Sequence, residues 1–145
     1  MKALPIAALI IAAASFSASA QDAAQDVADP TSLCTESIVE DARLAVIADK
    51  ITLDFGAAPG QAALQRYATA EERAALAVWH GMRKHCFDAG EQYRRIVFSA
   101  QSRAVLQSAF VFQQVLLSEL QQGRVTYGEF NRRRGEQAAS LDPRI

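Results

Sequence analysis

Apolar residues between positions 69 and 100 recur at alternating steps of four and three. This spacing keeps one stripe of a helix facing a neighbour, so it predicts a single long helix with a buried seam. Thr69 and Glu72 have the spacing of a capping box that starts such a helix, and Gly90 indicates a kink or a close helix approach beside Cys86. The predicted seam consists of Ala75, Trp79, Met82, Cys86, Ala89, Tyr93, Ile96 and Ala100.

A first helix is predicted upstream of the long one. Asp29 and Pro30 supply the capping side chain and the proline that are typical of a helix start. Glycines and a proline at 56–60 form a turn signal, so this helix is expected to end before Gly56. A short helix is predicted to follow at 61–67. The buried side of the first helix is predicted to consist of Leu33, Cys34, Ile38, Ala42, Ala45, Ile47 and Ile51.

Two more helices are predicted after a polar interval at 99–102. One carries a wide apolar face and ends at Gly123, which has the position of a left-handed C-cap. The other starts at a second capping-box pattern, Thr126 with Glu129, and runs to about Ala138. The wide apolar face consists of Val105, Leu106, Ala109, Phe110, Phe112, Leu116, Leu117 and Leu120.

The first twenty residues have the features of a secretory signal peptide. Lys2 gives a short positive region, an apolar run follows at 4–16, and Ala-Ser-Ala at 18–20 matches a cleavage site. The apolar run is shorter than the roughly 20 residues that a membrane span requires, and no longer run occurs elsewhere. We therefore expect a signal peptide at 1–20, a flexible leader at 21–30, and a periplasmic or secreted protein with no transmembrane segment after cleavage.

The two cysteines, Cys34 and Cys86, are predicted to form one disulfide, because the expected compartment is oxidising. A redox-active thiol is the less favoured interpretation, since no Cys-x-x-Cys motif provides a resolving partner. No stretch alternates apolar and polar residues as a strand does. The sequence therefore predicts an all-α fold, a disulfide-stapled up-and-down bundle of four to five helices in a single domain over residues 31–145.

Charge and motifs argue against several classes of function. Loss of Lys2 with the signal peptide changes the formal net charge from −1 to −2, which does not favour nucleic acid as a partner. His80 and His85 are five residues apart and face different sides of a helix, so they predict no metal site. The chain has no nucleophile elbow, phosphate-binding glycine loop or haem-attachment motif. These patterns favour a binding protein without a cofactor over an enzyme.

Aromatic and basic residues are concentrated at 123–134. Tyr127 and Phe130 are one helical turn apart and are expected to anchor the last helix to the bundle. The arginines allow two interpretations: a solvated basic rim, or a docking surface for an acidic envelope protein or an anionic membrane surface. We call this candidate partner region the C-terminal surface. It consists of Arg124, Tyr127, Glu129, Asn131, Arg132, Arg133 and Arg134.

Two functional hypotheses remain open from the sequence. The first is an exported protein-binding or inhibitory accessory module. The second is a small-molecule or lipid carrier with a cavity in the bundle. A filled core with an exposed patch would favour the binder, whereas a cavity of a few hundred cubic ångströms would favour the carrier. The carrier cavity is predicted to be lined by Trp79, Tyr93, Phe110 and Phe112.

Overall fold

A computed structural model describes residues 28–54 and 60–141 of the chain. These residues form five α-helices and no strand, which confirms the predicted all-α class. The predicted signal peptide, most of the predicted leader and the turn at 56–59 lie outside the described residues. The helices are α1 (Pro30–Val39), α2 (Ala70–Ala89), α3 (Glu91–Val97), α4 (Ala100–Gln121) and α5 (Tyr127–Ser140), with 3-10 turns at Ala42–Leu44 and Gln61–Ala63.

The core is formed where α2 packs against α1 and α4, and where α5 closes over α4. Trp79 lies at its centre with 1% of its surface exposed, as the seam on α2 predicts. Aliphatic residues that follow α1 complete one side, and the C-terminal half of α4 completes another. The aliphatic side chains with the least exposure are Ile38, Leu44, Ile47, Ile51, Leu76, Leu116, Leu117 and Leu120.

The first helix is shorter than predicted: it ends at Val39, whereas it was expected to continue almost to Gly56. Asp41 caps a 3-10 turn, and its side chain accepts a hydrogen bond from the backbone N–H of Arg43 at 2.9 Å. A short acidic side chain that bonds its own backbone competes with helical hydrogen bonds and favours such a turn. Ile47 and Ile51 are nevertheless fully buried, so the prediction of their burial holds without the helix.

The long helix predicted at 69–100 is broken at Gly90 into α2 and α3. Of the two features that Gly90 indicated, the close helix approach is present, because Thr31 of α1 packs directly against it. The seam does not continue past the break: Ile96 is 71% exposed, contrary to the prediction. The interruption of the helix at Gly90 ends the periodicity that placed Ile96 on the buried stripe.

The short helix predicted at 61–67 is reduced to the turn at Gln61–Ala63. After this turn the carbonyl oxygens of Leu64 and Arg66 accept hydrogen bonds from Gly128 and Tyr127, at 2.7 and 3.0 Å. The segment therefore satisfies two N–H groups in the first turn of α5, which have no partners within their own helix. Because the carbonyls of Leu64 and Arg66 accept hydrogen bonds from α5, they are not available for a second helical turn in this segment.

Local signals elsewhere are confirmed. Both hydrogen bonds of the Thr69 and Glu72 capping box are present, and Gly123 has the left-handed φ of 68° expected of a C-cap. The capping pattern that starts α5 is half formed, because Thr126 accepts from the backbone of Glu129 while the Glu129 carboxylate turns to arginines. The sulfur atoms of Cys34 and Cys86 are 1.99 Å apart, which joins α1 to the end of α2 as predicted.

Candidate functional site

The structure separates the C-terminal surface into a buried part and an exposed part. Tyr127, Asn131 and Arg134 are buried, with at most 1% of their surface exposed. The three therefore do not lie at a partner surface, contrary to the prediction, because they share the stripe of α5 that faces the core. The inward packing predicted for Tyr127 and Phe130 is confirmed. The members that remain at least partly accessible are Arg124, Glu129, Arg132 and Arg133.

Two of the three accessible arginines of this surface, Arg132 and Arg133, are neutralised within the chain. Arg132 forms ion pairs with Glu129 at 2.8 Å and with Glu136 at 2.5 Å. Arg133 pairs with the same Glu129 at 2.6 Å and with Glu119 at 3.2 Å. Hydrogen bonds from Arg132 and Arg133 lower the pKa of Glu129. Three carboxylates thus surround two guanidinium groups, so this region is not the positive patch that an anionic partner would require.

The buried members of the same segment hold the chain together. Asn131 donates to the carbonyl oxygens of Lys50 and Gln61, at 2.8 and 3.3 Å. Arg134 donates to the carbonyl of Thr52 at 2.5 Å and to that of Asp54. Sequence reasoning missed this role, although Asn131 and Arg134 follow Tyr127 at helical spacings of four and seven on the buried stripe.

The four aromatic residues predicted to line a carrier cavity lie in different places. Trp79 packs edge to face against Phe130 in the core, and Tyr93 packs against Phe98, each with ring centres 6.4 Å apart. Phe110 stacks on Phe87 at the surface, whereas Phe112 is 42% exposed on the opposite side near α5. The predicted cavity is therefore not formed by these residues. Tyr93 lies in α3, beyond the break at Gly90, and Phe112 is exposed on α4, so the four rings do not face one common space.

Among the described residues, a groove of about 470 Å³ lies between α2, α3 and the first turns of α4. We call it the α2–α4 groove. Its floor is aromatic, because Phe87 and Phe110 stack with ring centres 3.9 Å apart and planes inclined by 8°. The guanidinium of Arg94 lies 3.8 Å from the centre of the Phe87 ring, which is cation–π distance. The stack joins all three helices at the base of the groove.

Four bases and two acids line the α2–α4 groove. Lys84 pairs with Asp88 at 2.6 Å and Arg95 pairs with Glu91 at 2.5 Å, so both acids are already neutralised. The remaining bases are Arg94 and Arg103, and neither forms an ion pair with any residue the structure describes.

These two arginines are held in place by neutral oxygen atoms. Arg94 donates to the hydroxyl of Thr31 at 3.0 Å and to the carbonyl of Phe87 at 2.5 Å. Arg103 donates to the carbonyl of Phe98 at 2.7 Å. Their positions are determined by the chain itself, while their positive charges are not neutralised by it. Three helices contribute to this arrangement, so no local sequence motif revealed it.

The chemistry available in the α2–α4 groove is recognition of an anion with apolar surface. Guanidinium groups bind carboxylates through paired hydrogen bonds, and an aromatic floor provides contact area for an apolar side chain. Within the described ranges, no group of three or more His, Cys, Asp or Glu could hold a metal ion. His80, considered above as a ligand, instead faces Gln121, with Nδ1 and Oε1 3.2 Å apart. No helix formed by residues 28–54 and 60–141 is long and apolar enough to cross a membrane.

Fold and groove together define a small disulfide-linked helical protein with an open basic site. Comparison with models of known families, with curated proteins and with solved structures finds no match.

Proposed function

We propose that this protein is an exported accessory module that binds an acidic segment of another envelope protein in the α2–α4 groove. The observation that supports the proposal is the pair Arg94 and Arg103, which line the groove without an ion-pair partner among the described residues. Charge-assisted hydrogen bonds to a carboxylate are roughly twice as strong as neutral ones, so an acidic ligand would gain most at these two groups. The disulfide between Cys34 and Cys86 is compatible with export into an oxidising compartment.

The expected ligand is a peptide segment that combines carboxylates with an apolar side chain. A carboxylate would bind Arg103, the buried Arg94 would add its positive charge at the base of the groove, and the apolar side chain would cover Phe110, which lines the groove beside them. The four bases and two acids that line the groove leave an excess of two positive charges, which would steer an acidic segment toward it and raise its association rate. Binding of this kind blocks or positions a partner and requires no catalytic group.

A carrier of small anionic amphiphiles is the second candidate. The volume of about 470 Å³ falls within the range of roughly 300 to 1,000 Å³ that is common for small-molecule sites. The ligand would present one carboxylate to the same arginines and an apolar tail to Phe87 and Phe110. The groove is open to solvent and rimmed by charges, whereas carriers bury most of the apolar ligand, so the peptide ligand is favoured.

A peptide-display selection against the full oxidised protein tests the proposal. We expect enrichment of segments with Asp or Glu next to an aromatic or aliphatic residue, and loss of binding when the acids are replaced by Asn and Gln. The groove double variant Lys84→Gln with Arg103→Gln is expected to weaken binding about tenfold or more, with a steeper loss at high salt for the wild type.

The matched control is the double variant Arg132→Gln with Arg133→Gln, which removes the same charge from the C-terminal surface. Its affinity is expected to stay within about twofold of the wild type, because those arginines are paired within the chain. Equal losses in both double variants, or no preference for acidic over amide-containing peptides, would overturn the proposal. Direct binding of decanoate, together with no acidic-peptide binding, would instead support the carrier.

A further inference from the structure

The N-terminal end of the described chain is attached close to the α2–α4 groove. Ala28 is the first residue that the structure describes, and α1 begins two residues later. In the first turn of α1, Thr31 accepts a hydrogen bond at 3.0 Å from Arg94, which lines the groove. Thr31 also packs against Gly90, at the junction of α2 and α3. The polypeptide that precedes α1 therefore joins the fold beside this groove.

The sequence just before α1 is acidic. Residues 21–27, which we call the leader segment, contain Asp22 and Asp26 and no lysine or arginine. Asp26 is followed by Val27, so the segment places a carboxylate next to an aliphatic side chain. Asp29 lies outside the segment, and its side chain is used to cap α1. The leader segment thus has the combination of acid and apolar side chain that the groove is proposed to recognise.

The charges of the groove and the leader segment are complementary. Four bases and two acids line the groove, which leaves an excess of two positive charges. The leader segment carries two negative charges. Lys84 and Arg95 already pair with the two groove acids, whereas Arg103 donates only to neutral carbonyl oxygens. A carboxylate of the leader segment would therefore supply the ion-pair partner that Arg103 lacks among the described residues.

The leader segment is long enough to reach the groove. An extended chain spans roughly 3.3 to 3.6 Å per residue, so Asp26 reaches about 16 to 18 Å from Thr31. Thr31 and both aromatic rings of the groove floor, Phe87 and Phe110, border one small cavity of about 30 Å³. The floor is therefore well within this reach.

We propose that the leader segment binds in the α2–α4 groove of its own chain and competes there with the acidic segment of a partner. The Asp26 carboxylate would accept hydrogen bonds from Arg103, and the Val27 side chain would cover Phe110. The proposal rests on the acid recognition proposed for this groove. A competitor attached through a short connection has an effective concentration in roughly the millimolar range, so weak contacts are sufficient for partial occupancy.

NMR spectra of the oxidised chain that begins at Gln21 test the proposal without an added ligand. The leader variant is Asp22→Asn with Asp26→Asn, which keeps the length of the chain. It is expected to shift the resonances of groove residues, those of Arg103 and Gln107 among them, because the bound carboxylates are lost. High salt is expected to move the wild-type resonances in the same direction, since the contact is electrostatic.

The control variant, Glu36→Gln with Glu40→Gln, removes the same charge from two exposed positions in and just after α1. It is expected to leave the groove resonances unchanged. Identical groove resonances in the wild type and the leader variant would overturn the proposal. Equal shifts in the leader and control variants would also overturn it, because they would show a general effect of charge.

Competition is measured with a synthetic peptide of residues 21–29. The leader variant is expected to bind this peptide about two- to fivefold more tightly than the wild type, because the attached competitor is weakened. The control variant is expected to bind it with wild-type affinity. Equal or weaker binding by the leader variant would overturn the proposal.

The two proposals for the groove can fail separately. Groove resonances that respond to the leader variant, together with no binding of display-selected acidic peptides, would support the internal contact and overturn the proposed function. Binding of those peptides without any response to the leader variant would support the proposed function and overturn the internal contact.

Discussion

Gly90 and Thr31 are in such close contact that a Cβ added to Gly90 would lie 1.8 Å from the Thr31 hydroxyl oxygen. The backbone φ of Gly90 is −84°, a value that any residue adopts, so the glycine is required by its neighbour and not by its conformation. Arg94 donates to the same hydroxyl at 3.0 Å. The contact therefore brings α1 against the break between α2 and α3 and positions one arginine of the α2–α4 groove.

Replacement of Gly90 by alanine is expected to destabilise the protein by about 1 to 3 kcal/mol, because the added methyl group forces Thr31 and Arg94 to move. Gly81→Ala is the matched control, since a Cβ at this position of α2 meets nothing within 4 Å. That change is expected to stabilise the helix by roughly 0.4 to 1 kcal/mol. Denaturant unfolding of both variants measures the two effects, and equal stabilities would contradict the close contact.

Truncation of Trp79 to alanine is expected to cost about 3 to 5 kcal/mol, the usual range for a large buried aromatic residue. The loss includes its contact with Phe130 and the hydrogen bond from Nε1 to the carbonyl of Leu53 at 3.1 Å. Phe112→Ala, at an aromatic residue 42% exposed, is expected to cost clearly less. Urea unfolding followed by circular dichroism measures both. A Trp79 variant with near-native stability would show that this residue is not in the core.

The neighbouring arginines of α5 are expected to respond differently to the same substitution. Arg134→Gln removes a donor to the carbonyl of Thr52 and one of the two donors to that of Asp54, which also accepts from Arg83, so a cost of about 1 to 3 kcal/mol is expected. Arg132→Gln removes only exposed ion pairs and is expected to change stability by less than about 1 kcal/mol. Unfolding curves of the two variants measure this difference. If all these arginines formed a solvated basic rim, one of the two interpretations that the sequence allowed, both substitutions would be tolerated.

Glu72 is expected to make stability depend on acid pH. Its hydrogen bond from Arg66, helped by the backbone N–H of Thr69, lowers its pKa from 4.5 to about 2. A carboxyl whose pKa is lower in the folded state stabilises the fold above the unfolded value, and this contribution is lost as pH falls from 4.5 to about 2.

Glu72→Gln is therefore expected to reduce stability at neutral pH and to flatten its dependence on pH within that window. Glu71→Gln changes the adjacent, exposed acid and serves as the control. Unfolding free energies measured from pH 7 to pH 2 test the difference. If the unfolding free energy of the Glu72 variant fell with decreasing pH as steeply as that of the wild type, the Glu72 carboxylate would not be the cause of the pH dependence.

Reduction of the disulfide is expected to lower the stability of the folded chain. The bond joins cysteines 52 residues apart, and a loop of that length corresponds to roughly 4 kcal/mol in the chain-entropy model, as an upper value. Cys34→Ala with Cys86→Ala should reproduce most of the loss without reductant. Mass measurement under non-reducing conditions should find no free thiol in the wild type, and two free thiols or a linked dimer would contradict the pairing.

Local chemistry determined the features that depend on neighbouring residues. The cap at Thr69, the left-handed turn at Gly123 and the extent of α5 were predictable, because each is decided by side chains within about one helical turn. The Cys34–Cys86 pair was predictable because the chain offers no other pairing. The burial of Trp79 followed from a seam that stays regular in α2 from Ala75 to Cys86.

Tertiary structure alone decided which polar groups became buried and which charges remained unpaired. The sequence shows Arg132, Arg133 and Arg134 as one basic run, yet only Arg134 finds carbonyl oxygens in the interior. Arg94 and Arg103 line one groove because α3 and α4 both border it, and Thr31 of α1 helps to hold Arg94 there. A side chain's exposure and its ion-pair partners depend on segments distant in sequence, and helical periodicity carries no information about them.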